Sequence, residues 1–254
     1  MAALSARLQT ILELIPQATL RLVDVGCDHG LLSRAFLEAH PESRALLIDR
    51  RPGPLAKAEA LLSEQASSGR AEFRLADGLA AWCPTAGDTV VIAGMGGREI
   101  LGILGRLAEE ERFVGQKDFP IRILVQAMRD MPFVREALRR NGARSGGQKL
   151  CRDRGWIYSV DLYEVLFSTL KAVTPASVVR EEEDWLGTWL WKSIRSEISS
   201  PDSGSRFSPQ ETLAYLRRQQ RIAEGEIKGL SSAEVAQREA LLTVFAQSIE
   251  VLEG

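Results

Sequence analysis

The stretch VVIAGMGGREI, residues 90–100, decides how the rest of the chain is read. An apolar run enters Gly94-Met95-Gly96-Gly97 and leaves into a helix-forming segment that reaches about Glu110. Continuous apolar residues bounded by glycines are the pattern of a strand buried on both faces of a parallel sheet. Glycines at the mouth of such a strand let backbone come close to something.

Working outward, the same unit recurs. RLVDV (21–25) is a strand, followed by a loop and a helix through Leu37; ALLID (45–49) is a second strand. A helix opened by prolines runs from Pro52 to about Ala66, and AEFRLAD (71–77) is a third strand. TVVIA (89–93) is the fourth and IRILVQ (121–126) the fifth. A helix from Asp130 to Arg140 follows, closed by Asn141-Gly142. WIYSVDLYEVLF (156–167) alternates, is long and has no helix after it, so an antiparallel closing strand is expected. Repeated strand–helix units of this kind predict a doubly wound, mainly parallel α/β sheet with its ligand at the carboxyl ends of the strands.

Beyond residue 168 the character changes. VVREEEDWLGTWLWKSI (178–194) reads as a helix, in which the acidic run is solvated surface and Trp185, Trp189 and Trp191 are core. Ser199 to Ser205 is a flexible break. Residues 208–229 and 231–252 read as two helices with serine N-caps, an antiparallel, coiled-coil-like hairpin. Two domains are expected, 1–168 and 169–254.

The bulk properties exclude several classes. The chain has 254 residues, 45% hydrophobic and 26% charged, with a net charge of −2, so no global basic field announces a nucleic-acid partner. Cys27, Cys83 and Cys151 lie far apart, and His29 and His40 are the only histidines, so neither a zinc site nor a disulfide framework is indicated. The opening MAALSARLQTILELIPQ carries Arg7 and Glu13 within its apolar pattern, an amphipathic helix rather than a signal peptide. No run approaches the roughly 20 apolar residues that span a bilayer. A cytoplasmic protein with no membrane or metal partner is expected, with a monomer favoured.

The strand ends carry the chemistry. After the first strand comes Asp24-Val25-Gly26-Cys27-Asp28-His29-Gly30, after the second Asp49-Arg50, after the third Asp77-Gly78, after the fourth Ala93-Gly94-Met95. A dinucleotide turn wants GxGxxG, its second glycine admitting a pyrophosphate. Here Asp28 stands at that glycine's place. A carboxylate repels a pyrophosphate but suits the sulfonium or ammonium of S-adenosylmethionine. Asp49 can accept both ribose hydroxyls, and Asp77 can accept from the adenine amine, although Asp-Gly is also a common turn pair. Three acids on successive strands are the layout of a class I methyltransferase.

VDVGCDHGLLS, LIDRRPGPLAKAEALL, LADGLAAW and VVIAGMGGREILGIL, in this order and spacing, closely resemble the bacterial tRNA (adenine(22)-N1)-methyltransferase family. In that family the first motif reads like D-I-G-S/T-D-H and the fourth strand ends in I-A-G-M-G-G. IPQATLRLVDVG and RGWIYSVDLYEV look like its opening and its late strand. The resemblance implies methyl transfer from S-adenosylmethionine to N1 of an adenine in the tRNA D-arm region. It places Asp24, Gly26, Asp28, Gly30, Asp49, Arg50, Asp77, Gly78, Ala93, Gly94 and Met95 around the cofactor, with Asp28, His29 and Met95 at the reaction. There are departures. Gly30-Leu31-Leu32-Ser33 stands where the family has Ala-Tyr-Leu-Pro, Ile48-Asp49 where it has Gly-Glu, and Gln126-Ala127-Met128 where it tends to Gln-Pro-Asn. Segment 109–119 is longer than the usual connection.

Adenine N1 attacks the methyl with an in-plane lone pair and yields a cation, so no proton need be abstracted. Asp28 is the candidate for bonding the N6 amine or stabilising that charge, and His29 for orienting Asp28 or contacting the nucleotide. N1 lies on the Watson–Crick edge, so a paired adenine must be flipped out. For the RNA, residues 129–154 hold eight cationic side chains (Arg129, Arg135, Arg139, Arg140, Arg144, Lys149, Arg152 and Arg154) against Asp130, Glu136 and Asp153. Arg135, Arg139, Arg140, Lys149 and an Arg144 in a glycine-rich loop are candidate phosphate contacts, with Arg217 and Arg218 on the hairpin; a merely solvated basic face is the alternative. Methylation of another RNA site or of a small molecule, and non-catalytic cofactor or RNA binding, remain competing readings. A nicotinamide oxidoreductase is disfavoured by Asp28.

Overall fold

A computed structural model describes residues 4–107, 119–167, 179, 181–187, 190, 208–227 and 230–253. Seven strands form one sheet in the order β3-β2-β1-β4-β5-β7-β6. They are β1 (Arg21–Val25), β2 (Arg44–Asp49), β3 (Ala71–Leu75), β4 (Asp88–Gly96), β5 (Pro120–Arg129), β6 (Arg144–Asp153) and β7 (Trp156–Leu166). β1 to β5 pair in parallel, while β7 is antiparallel to both β5 and β6. The order steps outward from β1 in both directions, so the switch point lies between β1 and β4.

The apolar strands are buried because helices cover both faces. Val23, Val25, Ile48 and Ile92 point to one core, shared with α5 (Gly97–Arg106) and α6 (Met131–Arg140). Leu22, Leu47, Val91 and Leu124 point to the other, shared with α1 (Ala6–Leu14), α2 (Leu31–Ala39) and α3 (Pro52–Leu61). This period-2 alternation between two buried faces explains why the strands read as continuous apolar runs.

Four details differ from expectation. Asp184 of the acidic run is buried against Arg139 rather than solvated. The proline-opened helix breaks at Leu62 into α3 and a short α4 (Ser63–Ser67). The segment read as a glycine-rich loop is strand β6, with an irregularity between Ser145 and Gly147 that lets the Gly146-Gly147 pair pass through the ladder. The helix that starts at Glu182 (α7, Glu182–Leu186) stops at Gly187, whose φ of +88° leaves the helical region. Trp189, Trp191, the Ser199–Ser205 break and nearly all of segment 109–119 lie outside the described residues.

The hairpin is present as α8 (Pro209–Gly225) and α9 (Ser232–Glu253). Glu234 reaches back to the start of α9: its carboxylate accepts from the Ser231 backbone N–H at 2.9 Å and from the Ser231 hydroxyl at 2.6 Å. Tyr215, Leu216, Ala223, Leu241 and Phe245 fill its centre and pack with Trp185, Leu150 and Ile157, so this third core spans β6, β7 and the helices after them. Among the described residues no helix is long and apolar enough to cross a membrane.

Candidate active site

The carboxyl ends of β1, β2, β3 and β4 open into one cleft of about 500 Å³. That is the size of a small-molecule site. The glycine-rich turn is a β-bulge: pairing with β5 shifts register between Ala93 and Met95 and again before Gly96. Gly94 takes φ +76°, and its N–H donates to the buried Gln126 Oε1 at 3.1 Å. A Cβ on Gly97 would lie 2.5 Å from the backbone oxygen of Asp130, so Gly97 lets the turn after β4 close on the turn after β5. The glycines therefore serve the bulge and the packing of two turns, with Met95 carried out over the cleft. The Met95 methyl reaches the space above Gly26, 2.2 Å from where a Cβ there would be.

Each acid has a distinct environment. Asp24 is buried, accepts from Ser33 Oγ at 2.7 Å, and burial pushes its carboxyl up to about 6. Asp49 is 3% exposed and accepts from the backbone N–H groups of Asp28 (3.1 Å) and Arg51 (2.9 Å). It thereby ties the first turn to the second. Asp28, at φ +50°, keeps its carboxylate exposed, 3.4 Å from Arg51 and 3.9 Å from His29 Nε2. His29 Nε2 also lies 3.4 Å from Lys57 Nζ. Asp77 is ion-paired with Arg106 on α5, and Arg50 reaches Glu99 at 3.6 Å across the cleft. Burial, with Asp24 next to it, pushes the Cys27 thiol well above its ordinary range, so it is no nucleophile.

Asp24, Gly26, Asp28, His29, Asp49, Arg50, Asp77, Gly78, Ala93, Gly94 and Met95 all line this cleft. Gly30 does not. It caps α2 at φ +73°, its α-carbon packed toward Ala58, Leu62 and Leu47, so its glycine serves the fold. The sequence reading missed Arg7, Leu8 and Ile11 of α1, which form one wall, and Arg51. Arg7 Nη1 donates to Gln126 Oε1 at 3.3 Å and lies 3.0 Å from Met128 Sδ. Met128 is the position where the resembled family tends to asparagine, and here its thioether lies against the Arg7 guanidinium. A lone arginine on the apolar pattern of α1 was the available signal.

The basic segment is not one surface. Arg135 is 2% exposed; its Nε donates to Asp161 at 2.7 Å, its Nη1 to the Trp185 carbonyl at 2.7 Å and its Nη2 to the Tyr215 hydroxyl at 3.1 Å. It docks α7 and α8 onto the sheet and cannot also grip phosphate. Arg139 is bound to buried Asp184 at 2.8 Å, Arg140 to buried Glu136 at 2.8 Å, and Lys149 to Glu13 at 2.8 Å. Arg144 opens edge strand β6 rather than lying in a loop. On the hairpin, Arg217 pairs with Glu253, while Arg218 donates to the Ile157 and Met128 carbonyls at 2.6 and 3.0 Å.

Comparison with known proteins agrees with this fold. The chain is 32% identical over 117 residues to the tRNA (adenine(22)-N(1))-methyltransferase of Bacillus subtilis, a match covering 44% of this chain and 49% of that protein. The chain thus spans about half the length of this curated relative. Its fold is similar to the crystal structure of the B. subtilis M1A22 tRNA methyltransferase TrmK, with a TM-score of 0.63 at 22% identity over 100% of this chain and 98% of that one. It is similar also to M. capricolum TrmK in complex with S-adenosyl-homocysteine, with a TM-score of 0.66 at 16% identity over 99% of this chain and 100% of that one. Residues 4–160 match the family model described as a methyltransferase domain, and the chain belongs to that family.

Proposed function

We propose that the chain transfers a methyl group from S-adenosylmethionine to N1 of an adenine in tRNA, at position 22 in the D-arm. The observation that carries this is the convergence of Asp24, Asp28, Asp49 and Asp77 on one cleft beneath the Gly94-Met95 bulge. The B. subtilis relative, named for that reaction, supports the choice of substrate.

The residues present fit the cofactor. Asp49 is buried and oriented by two backbone N–H groups, which leaves lone pairs for the two hydroxyls of a ribose. Gly26 and Met95 make a cradle that a side chain on Gly26 would fill. Asp24 and Asp28 set negative charge where a sulfonium and an ammonium need it, and a pyrophosphate would be repelled. When bound, the cofactor supplies an electrophilic methyl.

The chain's own work is positioning and electrostatics. Met95 presents a polarizable thioether against the base. Asp28, exposed beside His29 and Arg51, faces the positive charge that grows on the base and can accept from its N6 amine. The guanidinium of Arg7 offers donors at the place vacated by asparagine. Residues 1–168 hold this chemistry, and the part from 169 to 254, whose described residues include helices α7, α8 and α9, helps hold RNA.

The test is incubation with methyl-labelled S-adenosylmethionine and unmodified bulk tRNA, followed by nucleoside analysis. Labelled 1-methyladenosine is the expected product. Label in another nucleoside, or none, overturns the assignment. A second reading, methylation of another RNA site or a small molecule, rests on Met128 and its bound arginine; label in a nucleoside other than 1-methyladenosine would favour it.

A further inference from the structure

The register of β5, β7 and β6 splits the basic segment between two ends of the sheet. Arg144 and Arg122 both lie opposite Glu164, at the amino end of β5. Asp153 lies opposite Trp156, beyond the carboxyl end of β5, so the β6–β7 turn sits at the cleft end. Eight residues of β7 separate the two levels, roughly 25 Å at strand rise.

The cleft end is joined to the hairpin by hydrogen bonds. Arg7, on the cleft wall, is 3.7 Å from Asp153 in the turn and 3.0 Å from Met128 Sδ. Arg218 of α8 holds the Met128 carbonyl and the Ile157 carbonyl, with its guanidinium over the rings of Trp156 (5.7 Å) and Tyr158 (5.4 Å). Trp156 is fixed by this stacking yet remains 58% exposed. Arg129 is 81% exposed, and Arg152 and Arg154 are exposed with no carboxylate partner among the described residues. Among the described residues, nearby charge of the other sign includes Asp153, engaged by Arg7, and Asp130, 3.8 Å from Arg129, with Glu211 on α8 and Glu226 at its C-cap behind them.

We propose that the β6–β7 turn, with Trp156 stacked on Arg218 and flanked by Arg129, Arg152 and Arg154, is the surface that holds the tRNA strand beside the target nucleotide. It rests on the tRNA reading above and names the docking surface. The chemistry matches single-stranded RNA. A rigid exposed indole stacks an unpaired base, and arginines around it take the phosphates on either side. The surface adjoins the cleft through Arg7, so a base flipped out of the D-arm would leave its neighbours at the turn.

The test is equilibrium binding of unmodified bulk tRNA across a salt series, beside S-adenosylhomocysteine affinity and melting temperature for each variant. Trp156→Ala is expected to weaken tRNA binding about tenfold, and Trp156→Phe, which keeps a stacking face, within about threefold. Arg152→Glu with Arg154→Glu is expected to weaken it more and to lower the salt slope by about 1 to 2. Cofactor affinity and melting temperature stay at wild-type values. If wild-type protein binds tRNA and all these variants bind it equally, this surface is wrong while the proposed function stands. If wild-type protein neither binds nor methylates tRNA, both fall.

Discussion

The two ends of the sheet use their charges differently. At the amino end of β5 three arginines are spent within the protein, Arg139 on Asp184, Arg140 on Glu136 and Arg122 on Glu164, while Arg144 stays exposed. At the carboxyl end Arg129, Arg152 and Arg154 stay exposed, near a cleft whose Asp24 and Asp49 are buried and whose Asp28 is exposed. Eight cations within residues 129–154 therefore do not make one patch. The β6–β7 hairpin places Arg144 at one end of the sheet and Arg152 and Arg154 at the other, which is the cleft end.

The comparison breaks most visibly at Arg135, the interior anchor. Arg135→Ala leaves the Asp161 charge buried with only the Ser159 and Tyr163 hydroxyls as donors, and it should lose about 3–5 kcal/mol in urea unfolding. A loss below about 1 kcal/mol would mean that the docking of α7 and α8 does not depend on this residue.

Asp24 sharpens the contrast at the cleft. Its folded-state carboxyl, at about 6, lies above the ordinary 3.8. Native protein thus binds the proton that the unfolded chain has released, and stability of the ligand-free protein falls as pH rises from about 4 through 6. Asp24→Asn should stabilise the ligand-free protein above pH 6 by on the order of 3 kcal/mol, with no gain at pH 4. Cofactor affinity runs the opposite way. It should drop as wild-type protein is acidified through pH 6, and stay weak and flat with pH in Asp24→Asn. Thermal melts and calorimetric titrations with S-adenosylhomocysteine at pH 4, 5.5 and 7.5 read both; a pH-independent wild type would remove Asp24 from this role.

Gly97→Ala sets a Cβ against the Asp130 carbonyl, and should cost about 1–3 kcal/mol through overpacking while weakening S-adenosylhomocysteine binding. Unchanged stability would show that the two turns are not closed on each other. The smallest effect is expected at Arg144, exposed at the amino end and without an ion-pair partner among the described residues. Arg144→Glu should leave tRNA affinity within about twofold; a tenfold loss would return the RNA to that end. Arg139 and Arg140 are poorer probes, since a glutamate there would face a buried carboxylate.

Much of the cleft was legible in the sequence because it is local. Gly26, Asp49, Asp77 and Gly94 each follow an apolar run, and a parallel sheet brings such ends together wherever the intervening helices fall. Gly30 follows the same rule by position but turns into the core, because a cap at positive φ sends its α-carbon toward α3. The basic surface was not legible. Strand β6 reads RSGGQKLCRD, whose glycines and charges mask an edge strand tolerating an irregularity, and missing that strand hid the hairpin. Arg7 was missed for a different reason: it lies 119 residues from Gln126, and only tertiary packing of α1 brings them together.

The most direct test of the central claim uses two tRNA transcripts that differ only in having adenine or guanine at position 22. With labelled S-adenosylmethionine, the adenine transcript should take up one methyl, mapped to N1 of that base by mass spectrometry, and the guanine transcript none. Equal labelling of both, or no labelling by protein that still binds S-adenosylhomocysteine, would contradict it.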